Sequence, residues 1–133
     1  MAEIRIESDT DGVTADALRG GFFEGWLAPL SPEEHLRLLA ASPHVSLAWD
    51  RSTVVGFATA ITDGVLCAYI PLLEVLPAYR GNRTGTRLIE RLLEDLRHLY
   101  MVDVMCDDDV FPFYERLGFA RAGGGIIRNY GWR

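Results

Sequence analysis

The sequence predicts one α/β (α+β) domain spanning residues 1–133 and built on a mixed central sheet; three observations carry that reading. Its 133 residues, 49% hydrophobic and 24% charged, suffice for a single core and are ordinary for a globular chain. In the first half, short apolar runs follow one another across tight polar turns, as antiparallel strands do. The second half opens with a strand–helix–strand unit, an order that makes a parallel, right-handed crossover.

The elements follow in order. Ile4 and Ile6 flank Arg5 as in a short strand, and Asp11-Gly12 marks a turn. Residues 14–26 are expected as a helix with Leu18, Phe22 and Trp26 on one face, weakened by Gly20-Gly21 at roughly 1 kcal/mol per glycine. Ser31-Pro32-Glu33-Glu34 is a capping box with proline at the first helical position, so a helix runs to about Ala41 and buries Leu36, Leu39 and Ala40. Residues 45–49 and 54–61 read as strands around the turn Asp50-Arg51-Ser52, and Thr62-Asp63-Gly64 turns into the central strand.

That strand, residues 69–76, is a near-continuous apolar run, as expected where both faces are covered, and Pro77 ends it. The following helix sets Leu88, Ile89, Leu92, Leu93, Leu96 and Leu99 on one stripe, opposite Arg87, Glu90, Arg91, Glu94, Asp95 and Arg97. Residues 101–106 form the next strand. One of Asp107, Asp108 and Asp109 caps a helix over 110–117, with Gly118 at its C′ position. Residues 119–122 and 126–130 read as short final strands around Gly123-Gly124-Gly125.

Chemistry concentrates in Arg80-Gly81-Asn82-Arg83-Thr84-Gly85-Thr86, between the central strand and the long helix. Glycines let a ligand approach the main chain, and a helix start presents unpaired N–H groups reinforced by the helix dipole. An anion site follows, for a phosphate or diphosphate, with Arg80 and Arg83 adding charge. An ordinary strand-to-helix turn would use the same glycines. It is not a Walker A loop, because three residues rather than four separate the glycines and Thr86-Arg87 follows. It is not the dinucleotide fingerprint, whose three glycines at fixed offsets are absent.

Two blocks resemble the GNAT superfamily of acetyl-CoA-dependent N-acetyltransferases. Val75-Leu76-Pro77-Ala78-Tyr79-Arg80-Gly81 is similar to that family's V-x-P-x-Y-R-G entry into a Q/R-x-x-G-x-G/A loop. Phe113-Tyr114-Glu115-Arg116-Leu117-Gly118-Phe119 is similar to its F-Y-E-x-L-G-F segment. Arg83 departs from the pattern, standing where the loop usually has its first glycine. The resemblance implies helices on both faces of a sheet whose antiparallel N-terminal strands lead to a parallel, splayed pair. It implies acetyl-CoA as acyl donor, with its diphosphate on Arg80, Gly81, Asn82, Arg83, Thr84, Gly85 and Thr86. Its pantetheine arm would pair with the main chain of Leu73 and Val75. It also implies an amine acceptor, from a small molecule or a protein, in a pocket lined by Phe22, Phe23, Trp26 and Tyr69.

Transfer to an amine of pKa ~10.4 requires loss of its proton, which costs about 4–5 kcal/mol at pH 7. Tyr114 matches the family tyrosine that serves as general acid to the departing CoA thiolate. Full transfer from an unperturbed phenol to a thiolate is uphill by ~2 kcal/mol, whereas a hydrogen bond is not. The base stays open among Glu74, Asp103, Asp107 and a water relay.

Bulk properties set the remaining limits. A net charge of −6 argues against nucleic acid and is compatible with a cationic amine. No apolar run reaches the ~20 residues that span a bilayer, and no leader pattern opens the chain, so the expectation is a cytoplasmic protein. Cys67 and Cys106 read as reduced core thiols. His35, His44 and His98 make no metal pattern, so no metal is expected. Two alternatives stand beside the enzyme: a non-catalytic acyl-CoA sensor, and a structural partner module. Self-association as a homodimer is left open.

Overall fold

A computed structural model describes residues 3–132. Its elements are β1 (Ile4–Glu7), α1 (Pro32–Ala41), β2 (His44–Asp50), β3 (Thr53–Thr62), β4 (Cys67–Val75), α2 (Thr84–Asp95), β5 (Met101–Val104) and α3 (Phe111–Glu115). The five strands form one sheet in chain order. β1 to β4 are antiparallel neighbours, and β4 and β5 are parallel, as the crossover through α2 requires.

Two adjacent residues of β3 divide the helices between the sheet's faces, because successive strand side chains point to opposite sides. Gly56 faces α2; a Cβ there would stand 3.1 Å from Leu88 Cδ1 and 3.4 Å from Ala48 Cβ. Phe57 faces α1, its ring 4.4 Å from that of His35. Most of the apolar stripe reads as expected, Leu88, Ile89, Leu92 and Leu96 being buried against the sheet, while Leu93 and Leu99 are half-buried and α2 ends at Asp95. The capping box of α1 also forms, Ser31 Oγ accepting from Glu34 N–H while Glu34 Oε1 accepts from Ser31 N–H.

Several expectations are corrected. Residues 14–26 are not a helix: a short 3₁₀ turn, Asp16–Leu18, gives way to turns in which Gly21, Phe23 and Gly25 all have positive φ. The glycine pair removes the propensity a helix needs, and the Phe23 N–H bonds to Glu74 instead of a helical carbonyl. In α1 the buried positions are His35 and Leu39, while Leu36 is half-buried and Ala40 exposed. No aspartate side chain caps α3; the main-chain carbonyl of Asp107 accepts from Val110 and Phe111, and Asp108 pairs with Arg121 at 3.0 Å. Residues 119–122 and 126–130 are not strands, having no ladder partner. Neither cysteine is in the core: Cys67 is half-buried and Cys106 exposed, both as free thiols. Among the described residues no helix is long and apolar enough to cross a membrane.

Candidate functional site

The parallel ladder is short. β5 pairs with residues 67–70 of β4, ending at Ile70 opposite Val104, and the last five residues of β4 have no partner on that side. Pro71 stands at the break. It has no amide hydrogen to give either neighbour, and the β3–β4 register slips there as well, Ile70 and Pro71 of β4 together standing opposite Ala60 of β3. Below the slip the pairing is regular, and the Leu76 N–H donates to Val55 on the β3 side. Alternation then turns the N–H and C=O groups of Leu73 and Val75 toward the opened edge. The Val75 carbonyl already accepts from Arg80 Nε at 2.8 Å.

From that edge the chain enters a 3₁₀ turn, Pro77–Tyr79, held by the Tyr79 hydroxyl, which donates to Asp50 Oδ2 at 2.6 Å. The motif tyrosine is thus a strut between the loop and the end of β2. Gly81 has φ +83°, a conformation that favours glycine. Arg83 adopts the left-handed conformation too, φ 62° and ψ 14°, at the N-cap of α2. Arg83 thus holds a conformation that glycine adopts more readily. No side chain caps α2, so the amides of Thr84, Gly85 and Thr86, the ones a helix leaves without an internal acceptor, stay available. Thr84 Oγ1 is buried without a hydrogen-bond partner among the described residues. These donors suit a diphosphate, and Gly81, Asn82 and Arg83 are exposed beside them.

α3 closes the other side. The point where a Cβ of Gly85 would stand lies 3.6 Å from the Phe113 ring and 3.8 Å from Val75 Cγ2, so loop, open strand and α3 converge there. Next along α3, Tyr114 is buried, edge-on to Phe113 and Phe119 at 5.0 and 5.5 Å. Burial pushes its phenol up to about 12, with a smaller push from the Cys106 thiol.

The α1 face carries the residues expected around the acceptor. Phe22 and Phe23 are buried, packed edge-on around His35 and against Phe57. They border a hollow of about 320 Å³ between the first turn segment and α1. Trp26 is 52% exposed and edge-on to Phe23. Tyr69 lies opposite Ile61 and Glu74 opposite Phe57, which places both on this face. Glu74 Oε1 accepts the Phe23 N–H at 3.0 Å, so the carboxylate is fastened to the turn above it. Sequence reasoning passed over Pro71 and His35. An internal proline in an apolar strand was the signal for the first, and a histidine at the i−4 position from Leu39 for the second.

Residues 13–119 match the acetyltransferase (GNAT) family model. The chain belongs to the GNAT family. A crystal structure of a candidate acetyltransferase from Deinococcus radiodurans R1 superposes with a TM-score of 0.92 at 45% identity, covering 98% of this chain and 94% of that one. Macaca mulatta serotonin N-acetyltransferase is 28% identical over 92% of this chain and 70% of its own length. An uncharacterised N-acetyltransferase of Pyropia yezoensis is 28% identical over 77% of this chain; the match spans 62% of that relative's length. An aminoglycoside N-acetyltransferase solved with CoA shares the fold, with a TM-score of 0.68 at 14% identity. The GNAT assignment accounts for the ladder that parts at Pro71 and for the uncapped helix beside it.

Proposed function

We propose that this chain transfers the acetyl group of acetyl-CoA to a primary amine of a small molecule or a protein. One observation carries the reading: the uncapped start of α2, behind left-handed Arg83, meets the stretch of β4 that β5 leaves unpaired. An anion-binding end joined to an open strand edge suits a ligand with a diphosphate and an extended, amide-bearing arm. Arg80, Gly81, Asn82, Arg83, Thr84, Gly85 and Thr86 take the diphosphate. Leu73 offers both main-chain groups to the arm, and Val75 its N–H, since its carbonyl is held by Arg80.

Bound acetyl-CoA supplies an activated thioester. The acceptor nitrogen forms a bond to its carbonyl carbon, the carbon–sulfur pair leaves on sulfur as a thiolate, and the nitrogen gives up its proton to water, directly or relayed to a carboxylate. Tyr114 faces the departing sulfur as a hydrogen-bond donor. With its phenol near 12, handing a proton to a thiolate of pKa ~8.5 is uphill by about 5 kcal/mol, so the phenol keeps it. This replaces full proton transfer by electrostatic stabilisation of the leaving group. Trp26 and Tyr69 receive the acceptor over Phe22 and Phe23, with the Glu74 carboxylate favouring a cation.

Calorimetry with acetyl-CoA, followed by free-thiol release across a panel of amines, tests the reading. Thiol release that depends on one amine class supports it. Absence of binding refutes it; binding without release for any amine makes the chain a sensor. None of the 133 residues is lysine, so label entering an added protein acceptor cannot be confused with side-chain acetylation of this chain.

A further inference from the structure

Two contacts tie the turns over the acceptor face to β4, the strand with the opened edge. A Cβ at Gly20 would stand 2.5 Å from Leu76 Cδ1, so the chain lies close against the end of that strand. Three residues on, both oxygens of Glu74 face the Phe23 N–H, at 3.0 and 3.3 Å. Phe23 holds φ +65°, a conformation that a bulky side chain adopts only where its surroundings impose it.

Phe23 in turn sets the place of Trp26. The Trp26 N–H donates to the Phe23 carbonyl at 3.1 Å, closing a turn, and the two rings meet edge-on at 5.2 Å. Dependence therefore runs from β4 outward: Glu74 fixes Phe23, and Phe23 fixes Trp26. β4 thus serves two ligands at one point. The main chain of Leu73 and Val75, on either side of Glu74, turns toward the opened edge, while the Glu74 side chain stands on the α1 face opposite Phe57.

We propose that Glu74 is a positioning residue of the acceptor site, a role that rests on the acetyl-transfer reading above. Its carboxylate holds the left-handed turn, and the turn holds Trp26 where the acceptor arrives. What the role requires is an oxygen at the end of this side chain; the negative charge is secondary, and Glu74 is not the base.

Left-handed backbone is disfavoured for phenylalanine, so without its anchor the seated turn becomes a minor form and apparent acceptor affinity falls by that fraction. Glu74→Leu should raise acceptor KM about tenfold or more. Its kcat and its KM for acetyl-CoA should stay within about threefold of the parent, because a saturating acceptor restores the seated turn. Glu74→Gln keeps an oxygen for the Phe23 N–H and should raise acceptor KM only about threefold, the share of the lost charge. In a Trp26→Ala background, with the receiving side chain gone, Glu74→Leu should add less than about threefold.

Steady-state thiol release with butylamine, benzylamine, putrescine and a lysine-containing peptide measures these constants, and thermal melts show that each variant is folded. A Gln variant as impaired as the Leu variant overturns the role, and so does one whose kcat collapses, since the charge then acts on the substrate directly. A Leu variant with the parent's acceptor KM overturns it too, as does a Leu effect of the same size with and without Trp26. Should the Leu variant not fold, Glu74→Gln alone decides, because a base at this position would cost kcat. Absence of thiol release by the native chain with all four acceptors is a different failure: it removes the acetyl transfer, and the role falls with it.

Discussion

His35 gives the sharpest test of how the α1 face is built. Its ring is buried among Phe22, Phe23 and Phe57, at centroid distances of 5.1, 4.9 and 4.4 Å, and neither nitrogen has a hydrogen-bond partner among the described residues. Burial lowers its pKa from 6.5 to about 4. The unfolded chain therefore binds a proton that the folded chain refuses. Stability is fully present above pH 6.5 and is lost as pH falls toward 4. Linkage gives a loss of about 1 kcal/mol at pH 6 and about 2–3 kcal/mol at pH 4.5, relative to pH 8. His35→Leu removes the titration. It forfeits ring contacts of about 0.5–1.5 kcal/mol but relieves unpaired buried nitrogens by about 1–3 kcal/mol, so near neutrality the variant should lie within about 1–2 kcal/mol of the parent. Urea unfolding followed by tryptophan fluorescence, at pH values from 8 down to 4.5, measures both chains. Carboxylates elsewhere move both curves together, so the difference isolates the imidazole. A parent–variant difference that stays flat across this range would refute the reasoning and mean that the ring is hydrated or paired in solution.

Three further outcomes follow from the site. Arg83→Gly should be more stable than Arg83→Ala by about 1 kcal/mol in chemical denaturation, the reverse of the usual order, because only glycine holds φ 62° without strain. The two should bind acetyl-CoA equally weakly by calorimetry, having lost the same charge. Gly56→Ala should cost about 1–3 kcal/mol, since its Cβ meets Leu88 Cδ1 at 3.1 Å. In a Leu88→Ala background the same change should cost measurably less, and an unchanged cost would mean the clash is taken up elsewhere. Tyr114→Phe should lower kcat by about ten- to a hundredfold while leaving KM for acetyl-CoA in place. Steady-state thiol release decides it, and an unchanged kcat removes the phenol from the chemistry.

Regular elements were legible because periodicity and caps fix them locally. The leucine stripe of α2, the Ser31 box and the turn-linked strands all depend on residues close in sequence. What escaped depends on distant partners. The segment over residues 14–26 has a helical pattern of apolar residues, yet Phe23 is settled in a left-handed conformation by Glu74, 51 positions away. The tail alternates like a strand, but a strand exists only beside another, and among the described residues it pairs with none. Within the site, the loop was readable from its glycines. The side on which Glu74 stands was not, since one residue of slippage around Pro71 decides it.

The position of α2 has a consequence for how tightly any anion could be held at its tip. Leu88, Ile89 and Leu92 of that helix, with Leu96 at its C-cap, are almost wholly withdrawn from water. The donors at its first turn therefore borrow stiffness from the interior and lose little freedom when occupied, so more of the contact energy survives as affinity. A lesion far inland, such as truncation of Leu92, would then register as looser capture at the rim before it registered as unfolding.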